Sequence, residues 1–244
     1  MKILITNDDG YYAEGINTLY KVLSKKHQAY IIAPDRERSA CSNIFTVRDK
    51  IEIKKIEKDI FSISGYPADC VSIGIHSGII PDIDMVVSGI NHGPNLGDDV
   101  HFSGTVAGAR TAYIFGKPGI ALSIDSYHEP SLYFEEASEF LLDFIDKVDK
   151  KNNFIYNINY PELSKNDIKG IKYTHLSRRH YIDSYKKENT RDASIFKLSL
   201  MGKINSEMTP GCDSAEMANG FISITPLTID STDYKSLKEL NRKT

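Results

Sequence analysis

Ile3-Leu4-Ile5-Thr6-Asn7-Asp8-Asp9-Gly10 decides how the rest of the chain is read. An apolar run of strand length stops abruptly at two adjacent carboxylates and a glycine. In an open α/β sheet, ligands bind just beyond the carboxyl ends of the strands. The stretch therefore predicts a central first strand that delivers Asp8 and Asp9 into a site. At about 4 Å and an effective dielectric of about 20, two such charges repel by about 4 kcal/mol. Either one carboxyl takes up a proton or a cation lies against both. Hard oxygen ligands of this kind suit Mg²⁺, Mn²⁺ or Ca²⁺. The plainer alternative is a surface turn, since Asn, Asp and Gly are the common turn formers.

Outward from that strand, the pattern alternates. Ile16, Leu19, Tyr20, Val22 and Leu23 share one face of a helix over residues 14–26. Residues 29–33 form a second buried strand and complete a βαβ unit. The polar loop 34–43 follows at that strand's carboxyl end, where Ser39 could offer a hydroxyl to a metal and Arg36 or Arg38 could meet an anion, although taken alone it reads better as a surface loop with ion pairs of the Asp35–Arg38 type. Residues 44–47 and 51–56 are expected to pair as a hairpin, with its turn near 48–50. A short strand is expected at 60–63. Pro67 suits the first turn of a helix running to about residue 77, and Asp69 is expected to cap it. Strands at 84–88, 119–123 and 154–158, and helices at 106–115 and 131–148, continue the alternation. Residues 1 to about 160 thus predict a doubly wound sheet.

Loop 89–105 is long for such a fold. It is rich in Gly and Asn and opens into a helix of small residues. Backbone N–H groups at that helix start, with the Ser103 and Thr105 hydroxyls, form an anion cradle suited to phosphate. Capping of the helix by either residue is the simpler role. Beyond residue 165 the signal weakens. Strands are expected at 171–176, 194–200 and 221–225, and a short helix at 212–220 closed by Gly220. The charged run around Lys186-Lys187-Glu188 is expected to be a solvated loop, and the tail around Leu237 and Leu240 a weak helix.

The composition narrows the function. The chain has 244 residues, 41% of them hydrophobic, enough for a sizeable core in one large domain. A formal charge of -3 supplies no basic field for a nucleic-acid polymer. Cys41, Cys70 and Cys212 are scattered and odd in number, so neither a zinc knuckle nor a disulfide framework is indicated. No signal-peptide pattern precedes the first strand, and no apolar run reaches the roughly 18 residues of a membrane span. A soluble, cytoplasmic protein without membrane contact is expected. There is no Walker loop, no GxGxxG after a strand and no GxSxG elbow. The position two beyond Asp8 is Gly10, which disfavours an aspartyl-phosphate route. What remains is a metal held by Asp8 and Asp9, an anion cradle near Ser103, and water as nucleophile, the chemistry of phosphomonoester hydrolysis.

Residues 7–11, 33–39 with Ser42-Asn43, 88–91 with Gly93, Asn95 and Gly97, 103–106 and 223–227 together resemble the SurE (survival protein E) family, over residues 1 to about 227. The resemblance implies metal-dependent 5′/3′-nucleotidase activity, with some action on short polyphosphate. It implies a Rossmann-like three-layer α/β/α core over 1–165. It also implies a β-rich C-terminal extension over 166–244, exchanged between the subunits of a homodimer or homotetramer. By the same resemblance, Asp8, Asp9, Ser39 and Asn91 hold one divalent ion, Mg²⁺ or Mn²⁺, per subunit. Asn95, Ser103, Gly104 and Thr105 line the phosphate and nucleophile side, with Asp8, Asp9, Asn95 and Thr105 the catalytic set. Asp8, Asp9 and, more weakly, His101 are candidates for the general base. The sequence departs from the family pattern at Glu14, Ala40, Tyr66, Phe102, Arg110-Thr111-Ala112 and Cys212, and loosely over 177–203. Two other readings use the same residues: a nucleotide-binding module without turnover, and a metal-dependent hydrolase of another bond. Phosphate release from a nucleotide separates them.

Overall fold

The computed structural model describes residues 1–126, 133–149, 152–190, 192 and 194–242. The first half comprises β1 (Lys2–Thr6), α1 (Glu14–Leu23), β2 (Gln28–Pro34), β3 (Ile53–Glu57), β4 (Ile60–Ile63), α2 (Pro67–His76) and β5 (Met85–His92). A 3₁₀ turn at Gly97–His101 leads into α3 (Gly104–Ile114), β6 (Gly119–Ile124), α4 (Phe134–Lys147) and β7 (Ile155–Tyr160). The remainder is β8 (Ile171–Tyr173), β9 (Arg179–Asn189), β10 (Phe196–Ser206), α5 (Asp213–Ala218), β11 (Ile222–Leu227) and α6 (Tyr234–Asn241).

Nine strands make one sheet in the order β3-β4-β2-β1-β5-β6-β7-β11-β8. The pairs from β4 through β7 are all parallel. The edge β3 and the returning β11 run antiparallel to their neighbours β4 and β7. β1 is central because its side chains are apolar on both faces, as a strand covered on both sides requires. Ile3 and Ile5 enter one cluster with Ile16, Leu19 and Leu141, while Leu4 enters another with Cys70, Val71 and Ala112. Correspondingly α1 packs against α4, and α2 against α3. The result is the expected three-layer α/β/α doubly wound fold. No described helix is long and apolar enough to cross a membrane.

Several expectations are corrected. The antiparallel pair on the left edge is β3 with β4, not 44–47 with 51–56. Residues 44–47 form no strand. Thr46 instead donates from its N–H and hydroxyl to the Asp69 carboxylate, both at 2.8 Å. Asp69 also accepts from the Tyr66 N–H at 2.9 Å, so it caps α2 and pins that loop together. The strand expected at 84–88 runs on to His92, into what reads as loop. Residues 131 and 132 of the expected fourth helix lie outside the described residues. The charged stretch 179–189 is a strand, not a solvated loop. It pairs with β10 in an isolated two-stranded ribbon, Tyr181 opposite Ile204 and Tyr185 opposite Leu200.

Candidate active site

β1 has β2 on one side and β5 on the other, so the strand order reverses beside it. The crevice at such a switch point is where open α/β sheets bind ligands. Asp8 and Asp9 follow β1 into that crevice, and Asn91 and Asn95 come from the end of β5 and the loop beyond it. The acidic turn is locked by Asn7, whose amide donates to the Gly10 carbonyl at 3.0 Å and accepts from the Gly10 N–H at 3.2 Å.

Asp8 is buried. Its carboxylate accepts from the Thr105 hydroxyl and from the N–H groups of Gly104 and Thr105, at the start of α3. It therefore takes the position of an anion at a helix N-terminus. The approach needs Gly104, because a Cβ there would meet the Asp8 Oδ2 at 2.8 Å and the Cys41 sulfur at 2.6 Å. Burial pushes the Asp8 carboxyl above its usual range, and the hydrogen bonds from Thr105 and the backbone only partly oppose it. Cys41 lies against the same group. Burial first, and the Asp8 charge second, push its thiol up to about 11. It stays protonated at neutral pH and is no nucleophile.

A bulge in β5 between Ser88 and Asn91 breaks the register with β6 and re-aims Asn91. Its amide nitrogen donates to the Gly93 carbonyl at 2.7 Å, which turns its oxygen toward Thr105 Oγ1 at 3.2 Å. Asn95 is held more tightly still. Its N–H donates to Asn159 at 2.7 Å, and its carbonyl accepts from Asn157 at 2.7 Å and Asn159 at 3.1 Å. Its side-chain amide donates to the Ser123 hydroxyl at 2.8 Å. Asn157, Asn159 and Ser123 are completely buried on β6 and β7. Buried polar groups on central strands are costly unless paired, and here they grip one residue.

Ser103 caps α3, accepting from the Val106 N–H at 3.0 Å. The cap uses a lone pair and leaves the hydroxyl proton free to donate to a ligand. The Ser39 hydroxyl donates to Glu37 at 2.6 Å, so the proton is committed and the oxygen keeps its acceptor capacity. The turn before α3 is fastened from the C-terminal region. Buried Asp213 accepts from the Gly97 N–H at 2.8 Å and the Ser177 N–H at 2.9 Å. Gly97 sits at φ +51°, and a Cβ there would meet the Ser177 carbonyl at 2.5 Å. Asp98 accepts from the Arg179 N–H at 2.8 Å and pairs with Arg178 at 3.2 Å, while Asp99 pairs with Arg179 and Tyr181.

These parts surround one cleft of about 820 Å³. Asp8, Asp9, Ser39, Asn91, Asn95 and Ser103 all line it, so loops far apart in sequence converge. Gly104 and Thr105 stand behind Asp8 and do not line it, and neither does His101, whose side chain is exposed. Glu37 and His92 do line it, though neither stood out in the sequence.

The family model for survival protein SurE matches residues 3–183, well over half of the chain. The chain belongs to the SurE family. A relative from Leptospira interrogans serogroup Icterohaemorrhagiae, named 5'-nucleotidase SurE, is 40% identical over 244 residues, covering 99% of this chain and 97% of the relative. Another from Proteus mirabilis, named 5'/3'-nucleotidase SurE, is 40% identical over 98% of this chain and 94% of its own. The crystal structure of the SurE protein from Aquifex aeolicus superposes with a TM-score of 0.85 at 34% identity, covering 100% of this chain and 99% of that one.

Among the described residues no three His, Cys, Asp or Glu side chains cluster as metal ligands. The four converging donors are instead two carboxylates, a hydroxyl and an amide carbonyl. That is an all-oxygen set of the kind that suits a hard divalent ion retaining some of its water, and it offers no soft ligand.

Proposed function

We propose that this chain is a divalent-metal-dependent nucleotidase that hydrolyses nucleoside 5′- and 3′-monophosphates to nucleoside and phosphate. Convergence of Asp8, Asp9, Ser39 and Asn91 on one cleft, with Asn95 and Ser103 beside them, carries this reading. The names of the relatives support the substrate class. Asp8, Asp9, Ser39 and Asn91 would hold one Mg²⁺ or Mn²⁺ per subunit. When bound, such an ion neutralises charge on the phosphoryl oxygens and lowers the pKa of water.

The chain's own residues supply the rest. Ser103 donates its free hydroxyl proton to a phosphate oxygen. The Gly104 and Thr105 N–H groups, which hold the Asp8 carboxylate behind the cleft, serve the phosphate side by fixing Asp8 beside it. Asn95, gripped from three sides, fixes an amide against the reacting group without further loss of side-chain entropy. Proton removal from the attacking water falls to Asp8 or Asp9. The exposed His101 is poorly placed for it. Short polyphosphate offers the same terminal phosphoryl group and fits the same donors.

The reading extends to assembly and location. One face of the β9–β10 ribbon carries Tyr185, Leu198, Leu200 and Ile204, each at least half exposed. A bare two-stranded ribbon is marginal in water, and a second copy of the chain would cover this face, giving a homodimer or homotetramer with exchanged extensions. Three free, buried cysteines are in keeping with the cytoplasm.

The test is phosphate release by purified protein from a panel of nucleoside monophosphates, with Mg²⁺ or Mn²⁺ and after exhaustive chelation. Turnover only with metal is expected. Undiminished turnover after complete metal removal would rule this mechanism out.

A further inference from the structure

The cleft has a polar floor and an aromatic rim. Tyr181, from the root of β9, lines it although it lies 82 residues from its partner Asp99. Among the described lining residues, it alone comes from beyond Phe134. Its side chain is not core filling, since the residue is 43% exposed. Nevertheless it is held. Its hydroxyl donates to one Asp99 oxygen, Arg179 pairs with the other, and the Arg179 N–H is fixed by Asp98. A partly exposed ring fastened over a ligand cleft is preorganised, so little entropy is lost when something lies on it.

The chemistry of the surroundings says what that something is. The Tyr181 hydroxyl is taken up by a carboxylate, and that carboxylate also lines the cleft. A phosphate is therefore unfavoured at this end, whereas a phenol ring is itself uncharged and planar. Tyr12 and Phe102, 60% and 59% exposed, add two more rings to the same rim. Flat π systems are the natural occupants of such a rim, and every nucleobase presents one.

We infer that Tyr181 is a specificity-determining residue, its ring forming the wall against which the base of a bound nucleotide lies. The inference rests on the nucleotidase reading and deepens it. The phosphate end is built from the first 105 residues, and the base end is completed from the ribbon.

The experiment compares Tyr181→Ala and Tyr181→Phe with the unmodified protein. The substrates are nucleoside monophosphates and glycerol 3-phosphate, a phosphomonoester that carries no ring at all. Tyr181→Ala is expected to raise KM for nucleotides about ten-fold, in the range measured for single base–aromatic contacts. It should leave kcat, and all constants for glycerol 3-phosphate, within about two-fold. Tyr181→Phe keeps the ring and should lose far less. Inhibition by free nucleoside should weaken in Tyr181→Ala, while inhibition by inorganic phosphate should not. Equal losses on both substrates, or an unchanged nucleotide KM, would overturn the inference and leave the nucleotidase reading standing. No phosphate release from any nucleotide by the unmodified protein would overturn both.

Discussion

β1 and the β9–β10 ribbon are both rich in apolar side chains, yet they meet opposite surroundings. Ile3, Leu4 and Ile5 are entirely buried, while Leu198, Leu200 and Ile204 stand 54%, 62% and 50% exposed. The difference lies in what the chain provides for each. β1 has a strand on either side and a helical layer on each face. The ribbon has only its own two strands, and is fastened at its root through Asp98, Asp99 and Asp213. A run of apolar side chains is thus buried only where the chain supplies layers on both faces of the strand that carries it. The cleft sits where the two regions meet. Its floor belongs to the self-sufficient part and its Tyr181 wall to the other.

The strongest way to separate function from fold is Asp9→Asn. The residue is partly exposed beyond β1 and contributes nothing to the two large apolar clusters. If Asp9 is a cation ligand as proposed, its loss should lower kcat/KM by about 10³-fold, equivalent to about 4 kcal/mol of transition-state stabilisation. The unfolding temperature without metal should hardly move. A parallel loss of stability would mean that the acidic turn holds the sheet together rather than serving the cleft.

Truncation of one leucine in each region breaks the comparison directly. Leu4→Ala opens a cavity between β1 and α2 and should cost about 2–5 kcal/mol at every protein concentration. Leu200→Ala removes an exposed side chain and should cost the isolated chain less than about 0.5 kcal/mol. Its effect should appear only as a shift in the concentration at which copies associate, read by sedimentation. If Leu200→Ala lowers stability as much as Leu4→Ala at all concentrations, the ribbon belongs to the core and the contrast disappears.

The same contrast explains what the sequence disclosed. The parallel strands were legible because burial on both faces leaves continuous apolar runs. Asp8 and Asp9 were legible because they interrupt one. β9 was not, since a ribbon without a covered face carries no apolar–polar contrast. Lys186-Lys187-Glu188 then reads as loop, although Phe196, Leu198 and Leu200 on its partner do alternate. The 44–47 segment has strand-like residues, but Asp69 takes its backbone donor and no ladder forms. The clamp on Asn95 left a signal that a closer reading could use. Asn157 and Asn159, two apart in an otherwise apolar strand, must share one face. Asp213 left none beyond an ordinary helix start, because its partners Gly97 and Ser177 are distant in sequence.

That clamp gives the next prediction. Asn159→Leu leaves the Asn95 N–H buried without an acceptor, at a cost of about 1–3 kcal/mol. Expressed as lost positioning, this is about 5- to 150-fold in kcat, with cation affinity unchanged because Asn95 is not among the four proposed donors. Asn159→Asp keeps that acceptor but, when ionised, sets a buried carboxylate oxygen against the Asn95 carbonyl, so it should recover activity only towards low pH, where the protonated oxygen donates to that carbonyl. If the two variants behave alike, the network is ordinary packing.

The smallest expected effect tests the joint between the regions. In Asp213, one carboxylate oxygen accepts from Ser177 and Ser214 while the other accepts from Gly97. Asp213→Asn can keep the first oxygen, and then its NH₂ faces the Gly97 N–H, donor against donor. The substitution therefore loosens the turn at Gly97–His101 and spares the ribbon root. A cost of about 1 kcal/mol is expected for that single bond. Amide hydrogen exchange should speed up at Gly97 and remain slow at Ser177, since local opening follows the local loss of partners. kcat/KM should fall only a few-fold, because Ser103 and Thr105 keep their own bonds within α3 and to Asp8. Equal acceleration at both amides would show instead that the turn and the ribbon root open as one unit, with Asp213 holding a single body rather than joining two.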